Sequence, residues 1–428
     1  MDRDEQTFQS TERVREGLAK RYRRERRFRG YGVAAILFGL GALLVLFIDI
    51  IGKGWPAFQQ THVQLELTWD RQVLGIEKVA SEELAYANFE GLVKKALRER
   101  FSGVDSRGAR QQLYGLVSSG AGYALRERLQ QNPGLLGTTE KVWLVADDEV
   151  DLYYKSSAAE RAEDERIGDR QKTWIGELVQ SGDIQLGLNE SFFTSGDSRE
   201  AEQAGIRGAV VGSFYTMLVT LALSFPIGVA AAIYLEEFAP KNRFTELIEV
   251  NINNLAAVPS IIFGLLGLAI FINFFGLPRS VPLVGGLVLT LMALPTIIIS
   301  SRASIKAVPP SIREAALGMG ASRMQVVLHH VLPLALPGML TGTIIAMAQA
   351  LGETAPLLMI GMVAFIVDVP AGMTEPATVL PVQIFLWSDT PEQSFVALTS
   401  AAIMVLLAFL ITMNTLAVVL RKKLERRW

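Results

Sequence analysis

The chain has 428 residues, half of them hydrophobic, with a mean hydropathy of +0.30 and a formal net charge of −2. That is too apolar for an ordinary soluble protein and too charged for one lying wholly in a membrane, so a membrane core with one sizeable soluble part is expected. The lack of cysteine excludes disulfides, thiolate catalysis and cysteine metal sites, and His62, His329 and His330 form no zinc set.

Residues 1–30 read as a basic tail in which Arg21, Arg23, Arg24, Arg26, Arg27 and Arg29 crowd against an apolar run over 31–52. A nucleic-acid partner is not expected, because a basic cluster beside a span ordinarily fixes its orientation. The run is read as a retained first span rather than a signal peptide, since Gly52-Lys53-Gly54-Trp55-Pro56 follows it and no Ala-x-Ala site does.

Residues 53–205 read as a soluble α+β insert. The alternation over 63–69 predicts a half-buried strand, and helical periodicity predicts helices over 82–101 and 111–129. Strands are expected over 141–146 and 150–155 around an acidic turn, Asp147-Asp148-Glu149, followed by a charged helix over 158–180. The turn has either a solvated or a cation-binding reading. The insert shows no nucleotide loop, catalytic constellation or repeat.

Five further apolar segments, at about 209–234, 250–275, 281–300, 336–365 and 395–420, are each long enough to cross a bilayer, giving six spans with the first. Pro226, Pro259, Pro295 and Pro356 lie inside four of them, which suggests bent helices, whether around a pathway or for packing.

The segment 302–333 reads as a loop outside the membrane. Pro309-Pro310 ends what precedes it, and Ser311 and Glu314 have capping-box spacing. Gly318 or Gly320 stops that helix. Ser322 and Gln325 repeat the capping spacing and start a second helix, expected to last to Leu332-Pro333. Ala315 and Ala316 give the first helix a face without bulk.

Past Pro333 the chain is apolar until Gly352-Glu353-Thr354-Ala355-Pro356. A carboxylate inside a span is costly and marks a functional site or a neutralising ion pair. Pro356 breaks the helix, and Thr354 is placed to cap a half-helix whose positive end would attract an anion.

Glu314-Ala315-Ala316, three residues, Gly320, then Leu332-Pro333 resembles the EAA loop of ABC-importer permeases, with His330 where that family often has isoleucine. The string from Ala350 to Leu358, with Asn254 to Gly267 and Leu294 to Ile298, resembles the phosphate-specific permeases of the PstA family, over about half the chain.

The resemblance implies an all-α membrane protein with six transmembrane helices of the type I ABC-importer permease fold, carrying the α+β insert outside the cytoplasm between helices 1 and 2. It implies a permease subunit for inorganic phosphate working by alternating access. The expected partners are a second permease subunit (homologous or identical), two ATP-binding subunits, an extracytoplasmic phosphate-binding protein and membrane lipid. Ser311, Arg313, Glu314, Ala315, Ala316, Gly320, Leu332 and Pro333 would meet the ATPase. Pro259, Ser260, Arg302, Gly352, Glu353, Thr354 and Pro356 are the pathway candidates. No catalytic residue, metal or cofactor is expected in this chain; ATP and magnesium would belong to the partner ATPase, since no P-loop is present.

The basic clusters before the first span, at Lys241 and Arg243, at Arg302, Lys306, Arg313 and Arg323, and in the tail 421–428 all fall on one side of a six-span chain. The positive-inside rule makes that side cytoplasmic, with both termini there, in a bacterial inner membrane. A permease for sulfate, molybdate or phosphonate, or a membrane sensor using the insert, are the competing readings.

Overall fold

The computed structural model describes residues 2–76 and 81–424. It divides into two units, residues 1–53 and 54–428. In the first, one helix, Asp2–Gly54, carries both the basic stretch and the first apolar run.

The insert opens the second unit. Strand β1 (Gln59–Thr68) is the centre of a three-stranded antiparallel sheet, flanked by β2 (Thr139–Val145) and β3 (Ile184–Leu188). Leu65 pairs with Val142 and Thr61 with Leu186. Val63, Leu65 and Leu67 share one face of β1 and pack beneath Leu92, Leu97, Leu113, Leu125 and Leu178. Trp69 closes this core, with its indole N–H donating to Glu140 at 3.1 Å.

Several expected elements are corrected. The helix over 82–101 is two, Ser81–Tyr86 and Phe89–Arg100, because Asn88 caps the second by accepting from the amide of Gly91. The helix over 111–129 splits into Arg107–Tyr114 and Ala121–Gln131, and that over 158–180 into Ala158–Glu163 and Asp169–Ser181. The strand over 150–155 is a helix, Asp148–Lys155: Asp147 accepts from the amide of Glu149 and caps it. The acidic triplet is therefore a helix start, not a hairpin turn. The strand β3 had no sequence reading.

Among the described residues, four helices besides the first are long and apolar enough to cross a membrane: Arg207–Phe238, Pro282–Lys306, Arg323–Gly352 and Ser394–Lys423. A bent pair, Arg243–Leu255 and Ser260–Phe274, supplies the sixth candidate. Its two arms meet at 103°, so the expected span over 250–275 is in fact broken. Pro259 sits at the break, lacking an amide and disfavouring helix at the residue before it. Pro226 and Pro295 remain inside continuous helices.

Small residues let these helices approach closely. A Cβ on Gly286 would lie 2.5 Å from Val219, and one on Gly228 would lie 2.7 Å from Ile297, which locks the second span to the fourth. A Cβ on Gly264 would lie 2.7 Å from the Cα of Pro356 and 2.9 Å from Met359, and one on Gly267 would lie 3.4 Å from Ile360. The arm Ser260–Phe274 therefore packs directly on the short helix Ala355–Met359.

This seam predicts that Gly264→Val costs about 1–3 kcal/mol through overpacking. Leu265→Val, at an exposed position, should stay within about 0.5 kcal/mol. Thermal unfolding of the detergent-solubilised chain measures both; equal midpoints would mean the seam is not packed.

Candidate functional site: a braced loop beside two broken spans

The loop after the fourth span begins with helix Pro310–Gly318. Pro309 is its N-cap and Pro310 its first residue, where a missing amide costs nothing and the fixed φ suits a helix. Ser311 therefore lies inside the first turn and makes no cap. The expected Ser311–Glu314 capping box is absent, and both side chains are exposed. The second box is present: Ser322 and Gln325 each bond the other's amide.

Gly320 forms the elbow at φ +88°, a left-handed conformation that side chains resist. The helix after it does not stop at Leu332-Pro333. It passes through a π-helical turn, Val326–Val331, straight into Leu332–Gly352. The wider i→i+5 turn just before Pro333 accommodates the ring that would otherwise clash with a preceding carbonyl. The second helix of the loop and the fifth span are consequently one rod.

The two alanines also part company. Ala316 is buried among Ile305, Val326 and Ala335, whereas Ala315 faces outward. Around the outward face, Met319 is 79 % exposed and Leu317, Met324 and Leu328 are exposed too. His330 is half-buried and lines a cavity of about 720 Å³ with Ser304, Pro309, Ile312 and Pro333.

A bracing network holds this loop, and the sequence reading missed it. Arg313 donates to Glu237 at 2.8 Å and to the carbonyls of Val308 (2.7 Å) and Ile305 (2.9 Å), satisfying the last turn of the fourth span. Arg302 reaches Glu249 at 2.7 Å and Glu236 at 3.2 Å, and Lys306 lies 3.5 Å from Glu236. The ends of the second and fourth spans and the helix Arg243–Leu255 are thereby tied together. The signal available in the sequence was Glu236-Glu237 closing an apolar run.

At the second break, Glu353 is half-buried and extended (φ −77°, ψ 125°). It makes no ion pair among the described residues. Arg302, a candidate counter-ion, is committed to Glu236 and Glu249. Thr354 occupies the N-cap position, but its side chain makes no cap, and the helix after it is a single turn, Ala355–Met359. A turn that short carries little dipole, so the expected half-helix anion hold fails on length. Of the pathway candidates, the structure sets Pro356 against Gly264, in the arm that Ser260 begins.

Arrangement and sequence define a membrane permease of the binding-protein-dependent class: residues 224–428 match the family described as "Binding-protein-dependent transport system inner membrane component". Residues 15–164 match "Domain of unknown function (DUF3333)", so β3 lies beyond that match. The chain is 34% identical over 181 residues to the probable ABC transporter permease protein YqgI of Bacillus subtilis, covering 42% of this chain and 60% of that one. It is 30% identical over 223 residues to the phosphate transport system permease protein PstA of Yersinia pestis, covering 51% of this chain and 73% of that protein. The chain belongs to the PstA permease family. It is also similar in structure to a chain of the inward-facing MetNI methionine ABC transporter, at 18% identity and a TM-score of 0.41, covering 52% of this chain and 95% of that one.

Removing Arg313 leaves Glu237 and two span-end carbonyls unsatisfied. Arg313→Ala is expected to cost roughly 2–3 kcal/mol, the scale of charge-assisted hydrogen bonds. Tryptic cleavage at exposed Arg323 should then accelerate severalfold, and Arg313→Lys should not restore protection, because an ammonium cannot reproduce the fork. Unchanged cleavage in Arg313→Ala would show that the brace does not hold the loop.

Proposed function

We propose that this chain is the permease subunit of an ABC importer for inorganic phosphate. The relationship to PstA over the permease core carries this reading, and the docking loop supports it. In this reading the loop 302–333 contacts an ATP-binding subunit through Ala315, Leu317, Met319 and Met324. The second helix of the loop and the fifth span form one rod, so a push at Met324 reaches the Gly352–Pro356 break directly, whereas a push on Ala315, Leu317 or Met319 passes first through the Gly320 elbow.

The complete transporter would contain a second permease subunit, two ATP-binding subunits and an extracytoplasmic phosphate-binding protein. Both termini and the docking loop would lie in the cytoplasm, with the insert outside. The chain would hydrolyse nothing itself. Glu353 would lie on the path of the anion. Phosphate carries between one and two negative charges at neutral pH, so Glu353 is useful there only with a cation beside it. Arg302 has other partners, which leaves Arg279 or a cation supplied by the second permease subunit.

Uptake of radiolabelled phosphate, with the chain co-expressed with its transporter partners, tests the assignment. Uptake should be competed by unlabelled phosphate and not by sulfate, molybdate or phosphonate. Competition by one of those instead would reassign the substrate. Glu353→Gln should lower uptake by roughly tenfold or more, as expected when one side of a buried pair is removed, with assembly intact. Normal uptake would make Glu353 a tolerated kink residue. A reporter inserted near Gly120 should be active only outside the cytoplasm, and the opposite result would overturn the orientation.

A further inference from the structure

The acidic triplet that opens the helix Asp148–Lys155 has no part in the transport reading, yet it sits where three segments meet. Asp148 accepts from Ser394, at the start of the sixth span, at 2.7 Å. Glu202, in the turn that leads into the second span, is 6 % exposed and accepts from Ser118 of the insert. Its backbone carbonyl accepts from Gln60 of β1. The other carboxylate oxygen of Glu202 is buried and has no partner. Between these groups lies a cavity of about 220 Å³, lined by Asp148, Asp151, Glu202, Ser394, Lys155 and Asn189.

The local charge does not balance. Lys155 is taken up by Asp151 and the carbonyl of Gln59, and Arg166 by Asp164 and Gln393. Asp147, Asp148 and Glu202 have no ion-pair partner among the described residues, with Glu149 adding a fourth carboxylate. The described residues contain no group of three or more carboxylates or histidines placed to hold a metal ion. A proton is the remaining neutraliser of suitable size.

We propose that Asp147 and Glu202 form a proton-operated latch between the insert and the starts of the second and sixth spans, closed when they hold protons beside the Asp148–Ser394 contact and loosened when both are ionised. An unpartnered carboxylate oxygen is tolerable in the closed joint when it carries a hydrogen to donate across the cavity. Burial first, then the charges of Asp148 and Glu202, push the Asp147 carboxyl up from 3.8 to about 7. Burial pushes Glu202 up, as it does Glu149, with Asp148 adding to both. Groups that hold protons more tightly in the closed joint stabilise it below a pH of about 4 and give that up as the pH rises through about 7.

The chain has no native cysteine, so spin labels can be placed on Glu163→Cys and Glu392→Cys, both exposed and flanking the joint. Distances are measured by pulsed electron resonance on the full chain in lipid nanodiscs. We expect a single narrow distribution at about pH 5.5 that broadens by about pH 8.5, with a midpoint near 7. Asp147→Asn with Glu202→Gln should keep it narrow throughout. Should that pair fail to fold, Glu202→Gln alone should reduce the broadening. Identical wild-type distributions at both pH values overturn the proposal, as does full broadening in a folded neutral variant. Neither readout depends on transport.

Discussion

Backbone amides and carbonyls in an apolar medium have no water to turn to, so every interruption of a membrane helix must be supported by protein. Among the described residues two membrane helices are interrupted, at Ala256–Pro259 and at Glu353–Thr354, and the arm after the first break packs on the turn after the second. Gly264 makes that possible: without a side chain it admits the backbone of Pro356 to contact distance. Behind them Phe263, Leu351, Leu357 and Ile360 form a closed apolar core.

The same constraint explains why the second helix of the loop and the fifth span behave as one body. Pro333 would be expected to terminate a helix, and the sequence was read that way. The π-helical turn before it removes the clash, leaving a continuous helix from the exposed Arg323 to the break at Gly352. The rod can transmit displacement only if its other end is anchored. Arg313 and Arg302 supply the anchor by joining the loop and fourth span to Glu236, Glu237 and Glu249. Arginine suits this role because its fixed fork engages a carboxylate and span-end carbonyls together.

What was legible in the sequence follows the range of the forces involved. The second, fourth and sixth spans, the glycine elbow and the Ser322–Gln325 cap depend on neighbours within a few residues, and they were readable; the expected third span over 250–275 is broken at Pro259, and the expected fifth over 336–365 runs Arg323–Gly352 instead. The Ser311–Glu314 cap had the same spacing and failed because Pro309-Pro310 offers an earlier start to the same helix. Asp148–Lys155 was misread as a strand because Tyr153 and Tyr154 favour one in isolation, whereas capping by Asp147 and contact with the sixth span decide for helix. Ala316 and Ala315 look equivalent in the sequence, and only the packing of Val326 and Ala335 shows which is free. The brace of Arg302 and Arg313 depends on residues more than fifty positions away, which no local pattern reports.

The distribution of unmatched charge then separates structural from functional carboxylates. Glu236, Glu237 and Glu249 lie near the membrane boundary, and each meets an arginine, so they consume their charge in holding helices together. Glu353 and the Asp147–Glu202 group have no such partner within the described chain. An isolated carboxylate in a site of low dielectric must gain a proton, meet a cation or be relieved by another molecule. At Glu353, a neighbouring subunit's cation is the relief that the proposed assembly would supply. At the insert joint the two nearby cations are already engaged, so protonation is the relief that the proposed latch uses. Under these two proposals the unpaired carboxylates would carry different consequences: one would make the chain depend on its assembly, the other on the pH around its insert.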